Sequence, residues 1–263
     1  LVGAWDWRPG LGLVVPIVLA AVAVISFHRW GHRLAWGWFT LTSAVTAGVF
    51  TLLVAAADGW NRVLDPVVDP TEYWHNLRIL PPAGEMLQRY HDPGFLSFFS
   101  VHVRGHPPGF LLLLKAMDAV GLGAPWAVGL LSYLGAAGVV AAVLVTMRAV
   151  AGETASRLVA PFLVLVPYVV WMGTSADAFY AAVAAWSVAF AVLAVRERRV
   201  ARRRLLAGAA GLAFGVALFL TYGTLIFGLI PVAVVILARD VSWRRRLAVL
   251  ATASATVVVV VCL

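Results

Sequence analysis

The stretch "PWAVGLLSYLGAAGVVAAVLVTM" (125–147) decides the fold class. Its 23 residues contain no Asp, Glu, Lys, Arg or His. An α-helix rises about 1.5 Å per residue, so about 20 such residues cross the hydrocarbon core of a bilayer. A soluble protein of ordinary size does not bury an uninterrupted apolar helix of this length on all sides. The stretch therefore predicts a membrane-spanning helix.

Similar apolar runs occur on both sides of it, in a chain that is 62% hydrophobic and only 12% charged. We predict an all-α protein, a polytopic transmembrane helical bundle that forms a single transmembrane domain over residues 1–263. The chain starts at Leu1 and stops inside the run "TVVVVVCL", so we expect it to be a fragment of a longer protein. The predicted spans are 11–27, 34–57, 125–147, 158–172, 178–195, 205–222, 225–238 and 247–263.

The charged residues predict the orientation of these spans. Six arginines lie between positions 196 and 204, and three more at 244–246. With alternating spans, fourteen of the 20 basic residues fall on the side of these clusters, and nine of the 12 acids fall on the other side. Basic loops remain in the cytoplasm, so the acids are predicted to lie outside. We interpret the charge of +8 as this orientation signal and not as a nucleic-acid surface.

A long loop, 58–124, is predicted to lie on the outer side. It contains "SVHVRGHPPGFLLLLKAMDAVGLG" (100–123), in which an apolar segment, 109–122, follows two prolines. Proline suits the first turn of a helix, but a helix over 109–122 is only about 20 Å long, too short to span. We predict an interfacial helix with its leucines in the outer leaflet. A loop of this length within a compact protein is usually functional.

The ionisable side chains gather in this outer loop and not inside the spans. A carboxylate there can take the proton of an acceptor hydroxyl as its oxygen attacks a sugar C1. Arg78, Arg104 and His106 can supply positive charge or hydrogen-bond donors to a departing lipid phosphate. A sugar donor outside the cytoplasm is expected to be lipid-linked, because soluble nucleotide sugars are not expected there.

Several short motifs, in this order, resemble the GT-C class of polyprenyl-phosphate-sugar-dependent glycosyltransferases, in particular its bacterial aminoarabinose- and mannosyltransferase-like branch. In "DPTEYW" (69–74) Asp69 and Tyr73 keep the family's spacing, although Pro70 replaces an acid often found there. "HPPG" (106–109) matches a dipeptide that opens the family's interfacial helix. "GTSADAFYAAVAAW" (173–186) matches its second outer acidic turn. "LTYG" (220–223) has Tyr222 where many relatives have a lysine.

The resemblance implies a bacterial plasma-membrane transferase of the cell envelope with its active site outside. Its partners would be a polyprenyl-phosphate sugar donor, a lipid or glycan acceptor and membrane lipids, with no nucleic acid. Some relatives bind a divalent metal, and here the three acids of the site are the candidate ligands. The implied catalytic residues are Asp69, Glu72 and Asp177, and the implied substrate- or phosphate-binding residues are Asp58, Tyr73, Arg78, His102, Arg104, His106 and Tyr222.

Simpler roles compete with these. Asp69 precedes a proline and can open a turn, and Ser175 or Asp177 can cap the helix that follows. Arg104 and His106 can anchor a helix to lipid headgroups. At the level of the whole protein, the alternatives are a transporter or flippase of lipid-linked sugars and a non-catalytic scaffold in polysaccharide assembly.

Overall fold

The computed structural model describes residues 10–166, 168, 171 and 173–262. These residues form helices, turns and loops, and no strand occurs among them. The α-helices are α1 (Val14–Trp30), α2 (Trp36–Ala55), α3 (Asp65–Val68), α4 (Ala83–Arg89), α5 (Pro93–Leu96), α6 (Val101–Gly105), α7 (Gly109–Ala119), α8 (Pro125–Ala151), α9 (Glu153–Val164), α10 (Ala176–Arg196), α11 (Val200–Leu220), α12 (Thr224–Phe227), α13 (Leu229–Leu237) and α14 (Trp243–Cys262). Short 3-10 helices lie at Leu11–Leu13, Gly31–Arg33, Ala56–Asp58, Trp60–Arg62 and Trp74–Ile79.

Six helical segments are long and apolar enough to cross a membrane, which confirms the predicted all-α membrane bundle. They match six of the predicted spans, with boundaries that differ by a few residues. The segments are Leu11–Arg33, Trp36–Asp58, Pro125–Ala151, Ala176–Arg196, Val200–Leu220 and Trp243–Cys262.

The two remaining predicted spans, 158–172 and 225–238, do not form single long helices in the described residues. The first contributes only the second half of α9, a helix of 12 residues with Pro161 inside it; residues 167, 169, 170 and 172 of this prediction lie outside the described residues. The second is divided between α12 and α13, which meet at Gly228.

Both segments nevertheless join opposite ends of the bundle. Glu153 forms an ion pair with Arg148 at the C-terminal end of α8, whereas Thr174 lies beside Gly129 near the start of that helix. Thr224 follows the end of α11, and Asp240 pairs with Arg196 at the end of α10. We call the end that carries residues 58–124 the loop end and the opposite end, with residues 196–204, the arginine end.

At the arginine end, arginine and aromatic side chains hold two interhelical connections against each other. The Arg157 guanidinium donates to the carbonyls of Gly31 and Leu34 and lies 4.6 Å from the centre of the Phe39 ring. Arg148 lies 4.5 Å from the centre of the Trp36 ring. The α1–α2 and α8–α9 connections are therefore neighbours, as their predicted placement on one side of the membrane requires.

Small residues bring α8 and α10 close together at the centre of the bundle. Gly135 of α8 lies so close to the backbone of Ala178 and Phe179 that a Cβ would overlap them, and Gly138 lies beside Ala182. The two helices run in the same direction, because positions further along α8 meet positions further along α10. This contact positions the first turn of α10 against the loop.

Residues 58–124 form a folded cap on the loop end, and part of the apolar face of α7 is buried in it. Phe110, Leu111 and Leu114 of α7 are at most 2% exposed. They pack inside the cap and against the bundle, whereas Leu112 and Leu113 of the same helix are only half-buried. The core that they share consists of Val67, Tyr73, Met86, Phe95, Phe99, Val103, Phe110, Leu111, Leu114, Val128, Tyr180 and Leu220.

Candidate functional site

The centre of the candidate site is a close contact between the Glu72 carboxylate and the His102 imidazole, with 2.9 Å between Oε1 and Nδ1. Buried Asn76 holds the two chain segments together. Its amide nitrogen donates to the Glu72 carbonyl and to Ser100 Oγ, and its amide oxygen accepts from the Ser100 N–H. His102 lies in α6, two residues after Ser100. The hydrogen bonds of Asn76 therefore hold the chain segment of the Glu72 carboxylate against the segment of the His102 imidazole.

The environment of Glu72 raises the pKa of its carboxyl group above its ordinary value. Burial is the largest cause, and the negative charges of Asp177 and Asp69 act in the same direction. The charge and hydrogen bond of His102 act in the opposite direction. Glu72 is thus a stronger base than a free carboxylate, which favours a role in proton transfer.

Asp69 is exposed and takes part in a local turn. Its Oδ1 accepts from the Thr71 N–H at 2.8 Å and from the Thr71 hydroxyl. The bond from the hydroxyl, and after it the one from the N–H, lowers the pKa of Asp69. The turn-forming role is therefore present, and one oxygen of Asp69 is already occupied.

His102 in α6 and His106 just after it both use the ring nitrogen Nδ1 to contact a neighbouring oxygen. His106 Nδ1 lies 3.0 Å from the His102 carbonyl, and a carbonyl can only accept, so Nδ1 carries the proton. His102 Nδ1 likewise faces the Glu72 carboxylate. The Tyr90 hydroxyl fixes the backbone here through the carbonyls of Val103 and His106, at 2.6 and 2.8 Å. Both imidazoles consequently keep Nε2 available.

Two tyrosines lie between these histidines and the bundle. The Tyr73 ring stacks on His102 at 6.2 Å between centroids, and the Tyr180 ring of α10 lies at the same distance from His106. Both also meet Phe110 edge-on, at 5.1 and 5.3 Å. The hydroxyls approach each other, but neither has a hydrogen-bond partner of good geometry.

A groove of about 540 Å³ runs along the bundle between α8, α10 and α12–α13. Most of its wall is apolar, from Met147 toward the arginine end to Tyr180 at the loop end. Polar side chains occur mainly at the loop end, where Asp177, Thr221 and Thr224 line it. Tyr180 belongs both to this wall and to the aromatic cluster around His106, so the groove ends one aromatic ring away from His106. The remaining lining residues include Val139, Val143, Ala181, Ala184, Val188, Phe227 and Ile230.

The other predicted site residues are placed less centrally. Asp177 is exposed in the first turn of α10, and its N–H donates to Ser175 Oγ, which caps the helix. Tyr222 is 64% exposed and acts electrostatically on Tyr90, beside the end of α6. Arg104 is exposed and lies two residues from each histidine, toward the other side of a helical turn.

Arg78 and Asp58 lie elsewhere in the cap. Arg78 lines a separate cavity of about 460 Å³ with His75 and Asp118. Asp58 is exposed in the 3-10 helix that ends α2, next to Ala57, whose carbonyl meets Gly12. Among the described residues, neither side chain forms a hydrogen bond or an ion pair with Glu72 or His102.

A metal role for the three acids was an expectation drawn from the resemblance. Within the described part of the chain, no group of three or more His, Cys, Asp or Glu side chains is arranged to hold a metal ion. Asp69, Glu72 and Asp177 influence one another electrostatically without forming such a group.

No known protein family, curated protein or solved structure matches this chain. The helices and their composition define its class on their own: it is a multi-pass α-helical membrane protein with six candidate spans.

Sequence reasoning missed Asn76, Tyr90 and Tyr180, which organise the site. Tyr180 follows Asp177 by three positions in an α-helix, so it shares a face with that acid. This spacing is the one signal that could have identified it.

Proposed function

We propose that the protein transfers a sugar from a polyprenyl-phosphate carrier to a hydroxyl acceptor at the loop end. The apolar groove would take the prenyl chain, and the phosphate and sugar would lie beside Asp177, His102 and His106. The observation that carries the proposal is a lipid-sized apolar groove whose wall at the loop end, Tyr180, contacts a cluster of carboxylate and imidazole groups. The short motifs that resemble GT-C glycosyltransferases agree with it.

The reaction that these groups support is a direct displacement. The acceptor oxygen attacks C1 of the sugar, and its proton passes to a carboxylate. The bond between C1 and the phosphate oxygen breaks, and the phosphate leaves with the electron pair. Attack from the side opposite to the phosphate inverts the configuration at C1.

Glu72 is the better candidate for the base, and Asp69 is the alternative. The raised pKa of Glu72 strengthens it as a proton acceptor, whereas the lowered pKa of Asp69 weakens that carboxylate. The imidazoles of His102 and His106, with Arg104 near the surface, supply donors and charge to the leaving phosphate.

The test is a donor-cleavage assay that does not depend on knowing the acceptor. Purified full chain in liposomes receives an undecaprenyl-phosphate hexose or pentose together with cell-envelope extract, and free undecaprenyl phosphate is measured. We expect Glu72→Gln to lower the rate by about 100-fold, a usual effect for a lost general base. Glu85→Gln, whose carboxylate pairs with Arg89 at the surface of the cap, is the matched control and should leave the rate unchanged.

The variant Asp69→Asn distinguishes the two carboxylates. If it alone abolishes cleavage, the base is Asp69. Wild-type protein that releases no undecaprenyl phosphate from any donor would contradict the transferase proposal, and activity that survives both substitutions would contradict the assigned roles.

One observation favours a second candidate, a translocase of lipid-linked sugars. The groove reaches from Thr146 and Met147 toward the arginine end to Thr221 at the loop end, so it follows much of the length of α8 and α10. A translocase would move a fluorescent polyprenyl-phosphate sugar between leaflets of proteoliposomes without cleaving it. A transferase would release the phosphate on one side only.

A further inference from the structure

Two tyrosine hydroxyls close the loop end of the groove, and both are deeply buried. Tyr73 and Tyr180 are each 4% exposed, and their hydroxyl oxygens have no hydrogen-bond partner of good geometry. A buried hydroxyl without a partner is costly, so such groups are rare and call for an explanation. Two of them meet here, one from the cap and one from α10.

Their position makes them a partition. Tyr180 lines the groove, while its ring also contacts the His106 ring; Tyr73 stacks on His102 on the other side. Phe110 meets both rings edge-on and keeps the pair closed. The two phenol rings therefore lie between the groove, which Tyr180 lines, and His102, on which Tyr73 stacks.

We propose that Tyr73 and Tyr180 form a gate that is opened by the phosphate of a prenyl carrier, to whose oxygens both hydroxyls donate once the rings part. The inference rests on the proposed function, because it assigns a gate to the same groove. In the closed gate the two hydroxyls have only each other, so at least one donor lacks an acceptor, and the open gate satisfies both on a charged acceptor. The free energy gained when the hydroxyls bind the phosphate therefore offsets the free-energy cost of opening the gate.

The chemistry of the surroundings selects a phosphate and not a neutral alcohol. A phosphate presents several acceptor oxygens, enough for two phenols and an imidazole at once, whereas an alcohol presents one. Burial raises the pKa of the Tyr73 hydroxyl, so this phenol stays protonated and can donate at any working pH. His102 and His106, each in contact with the Tyr73 ring, add donors on the far side of the gate.

The experiment compares ligands that share a chain or a headgroup. Binding of farnesyl phosphate, farnesol and dioleoyl phosphatidic acid to the full chain in detergent is measured together with the thermal unfolding midpoint. The variants are Tyr73→Phe and Tyr180→Phe, which remove only the hydroxyls. Tyr133→Phe is the matched control, because its hydroxyl is also buried without a partner but its residue lies in α8 beside Gly48 of α2.

We expect wild type and Tyr133→Phe to bind farnesyl phosphate at least about tenfold more tightly than farnesol, as a charge-assisted hydrogen bond gives. In Tyr73→Phe and Tyr180→Phe this ratio should fall to about threefold or less, with a midpoint no lower than that of wild type. Phosphatidic acid should show no comparable dependence on the two hydroxyls, since its headgroup belongs to a bilayer lipid with two chains.

Four results would overturn the gate: an unchanged ratio in both variants, an equal fall in Tyr133→Phe, a lower unfolding midpoint, or the same dependence with phosphatidic acid. A lower midpoint would show that the hydroxyls stabilise the closed form internally. Wild type that does not discriminate farnesyl phosphate from farnesol would overturn both this inference and the proposed carrier. If the tyrosines carry the discrimination but no donor is cleaved, the gate stands and the transferase reaction fails.

Discussion

The pKa of the Glu72 carboxyl group is set by opposing influences. Burial and the charges of Asp177 and Asp69 favour its neutral form, while His102 favours its ionised form, and the former prevail. Ionising Glu72 therefore costs more in the folded protein than in the unfolded chain. The folded state gives up some stability to hold a basic carboxylate beside the groove, as functional sites often do.

This balance predicts a pH dependence of stability. Because the folded pKa of Glu72 is raised, its favourable contribution is complete below the unfolded pKa of about 4.5. It is lost as the pH rises through the folded pKa. We expect the unfolding midpoint of wild type, relative to Glu72→Gln, to fall as the pH increases from 4 to 8.

The measurement is a pair of thermal unfolding series in detergent, with Glu85→Gln as the control on the same cap. Glu85 pairs with Arg89 and is 46% exposed, so its substitution should leave the wild-type pH profile in place. A constant difference between wild type and Glu72→Gln at every pH would show that the carboxylate is not perturbed.

The site residues that the sequence could not identify act through tertiary contacts. Asn76 is an ordinary polar residue in the cap until its amide is seen to join the Glu72 carbonyl to Ser100, which lies 24 positions after Asn76. Tyr180 is one aromatic side chain in an apolar helix, a pattern shared by lipid-facing and buried positions. Acids and histidines could be selected from the sequence because their chemistry limits what they do, but hydrogen-bonding and gating partners depend on tertiary contacts.

Among the elements, α7 shows where the periodicity of a sequence reaches its limit. Its length and its start after the prolines were predicted within a few residues, because both depend on local backbone chemistry. The packing partners of its leucines could not be predicted from the sequence, since an apolar face packs equally well against lipid or protein. The aromatic core of the cap covers part of this face.

The burial of α7 leads to a stability prediction. Leu114 is fully buried, so Leu114→Ala should destabilise the protein by about 2–5 kcal/mol through lost contacts and a residual cavity. Leu122, 43% exposed just beyond the helix, is the control, and Leu122→Ala should change the free energy of unfolding by less than about 0.5 kcal/mol. Chemical denaturation followed by tryptophan fluorescence measures both. Equal effects would mean that Leu114 does not contribute to stability through packing inside the cap.

The contact between α8 and α10 depends on a single missing methyl group. A Cβ at Gly135 would overlap the backbone of Ala178 and Phe179, so Gly135→Ala must push the helices apart. Overpacking of this kind costs about 1–3 kcal/mol. Because Asp177 and Tyr180 lie in the same turn of α10, the substitution should also weaken binding in the groove.

Gly37→Ala is the matched control for this prediction, since a Cβ there meets nothing within 4 Å. It should leave both unfolding and farnesyl phosphate binding unchanged. The two variants are compared by the unfolding midpoint and by ligand titration. A Gly135→Ala protein with wild-type values for both would show that the helices have room to separate.

For the whole molecule, the class of fold followed from hydropathy alone, and the topology only partly. Six runs gave long helices because nothing inside them interrupts the hydrogen-bonded backbone. In the other two, α9 has Pro161 inside it and ends at Val164, and Gly228 lies between α12 and α13. The connections still alternate between the ends of the bundle as the charges had predicted, because each ion pair and arginine contact at the arginine end joins loops assigned to one side.

This alternation leads to a prediction about accessibility in the cell. The segment from Tyr222 to Arg239 contains only the short helices α12 and α13, yet its ends lie at opposite ends of the bundle. If the membrane is crossed here, cysteines at these two positions must be reached from opposite sides. The single native cysteine, Cys262, is replaced by serine so that each variant carries one thiol.

We expect a membrane-impermeant maleimide to label Asn61→Cys and Tyr222→Cys on intact cells, because both side chains are exposed at the loop end. Arg198→Cys and Arg239→Cys, exposed at the arginine end, should react only after permeabilisation. Asn61 and Arg198 serve as references for the two sides, since long helices separate them. Labelling of Tyr222→Cys and Arg239→Cys from the same side would mean that α12 and α13 turn back within the membrane. The apolar groove, which these short helices line, would then open to one leaflet only, and a translocase would lose its path while a transferase would keep its site.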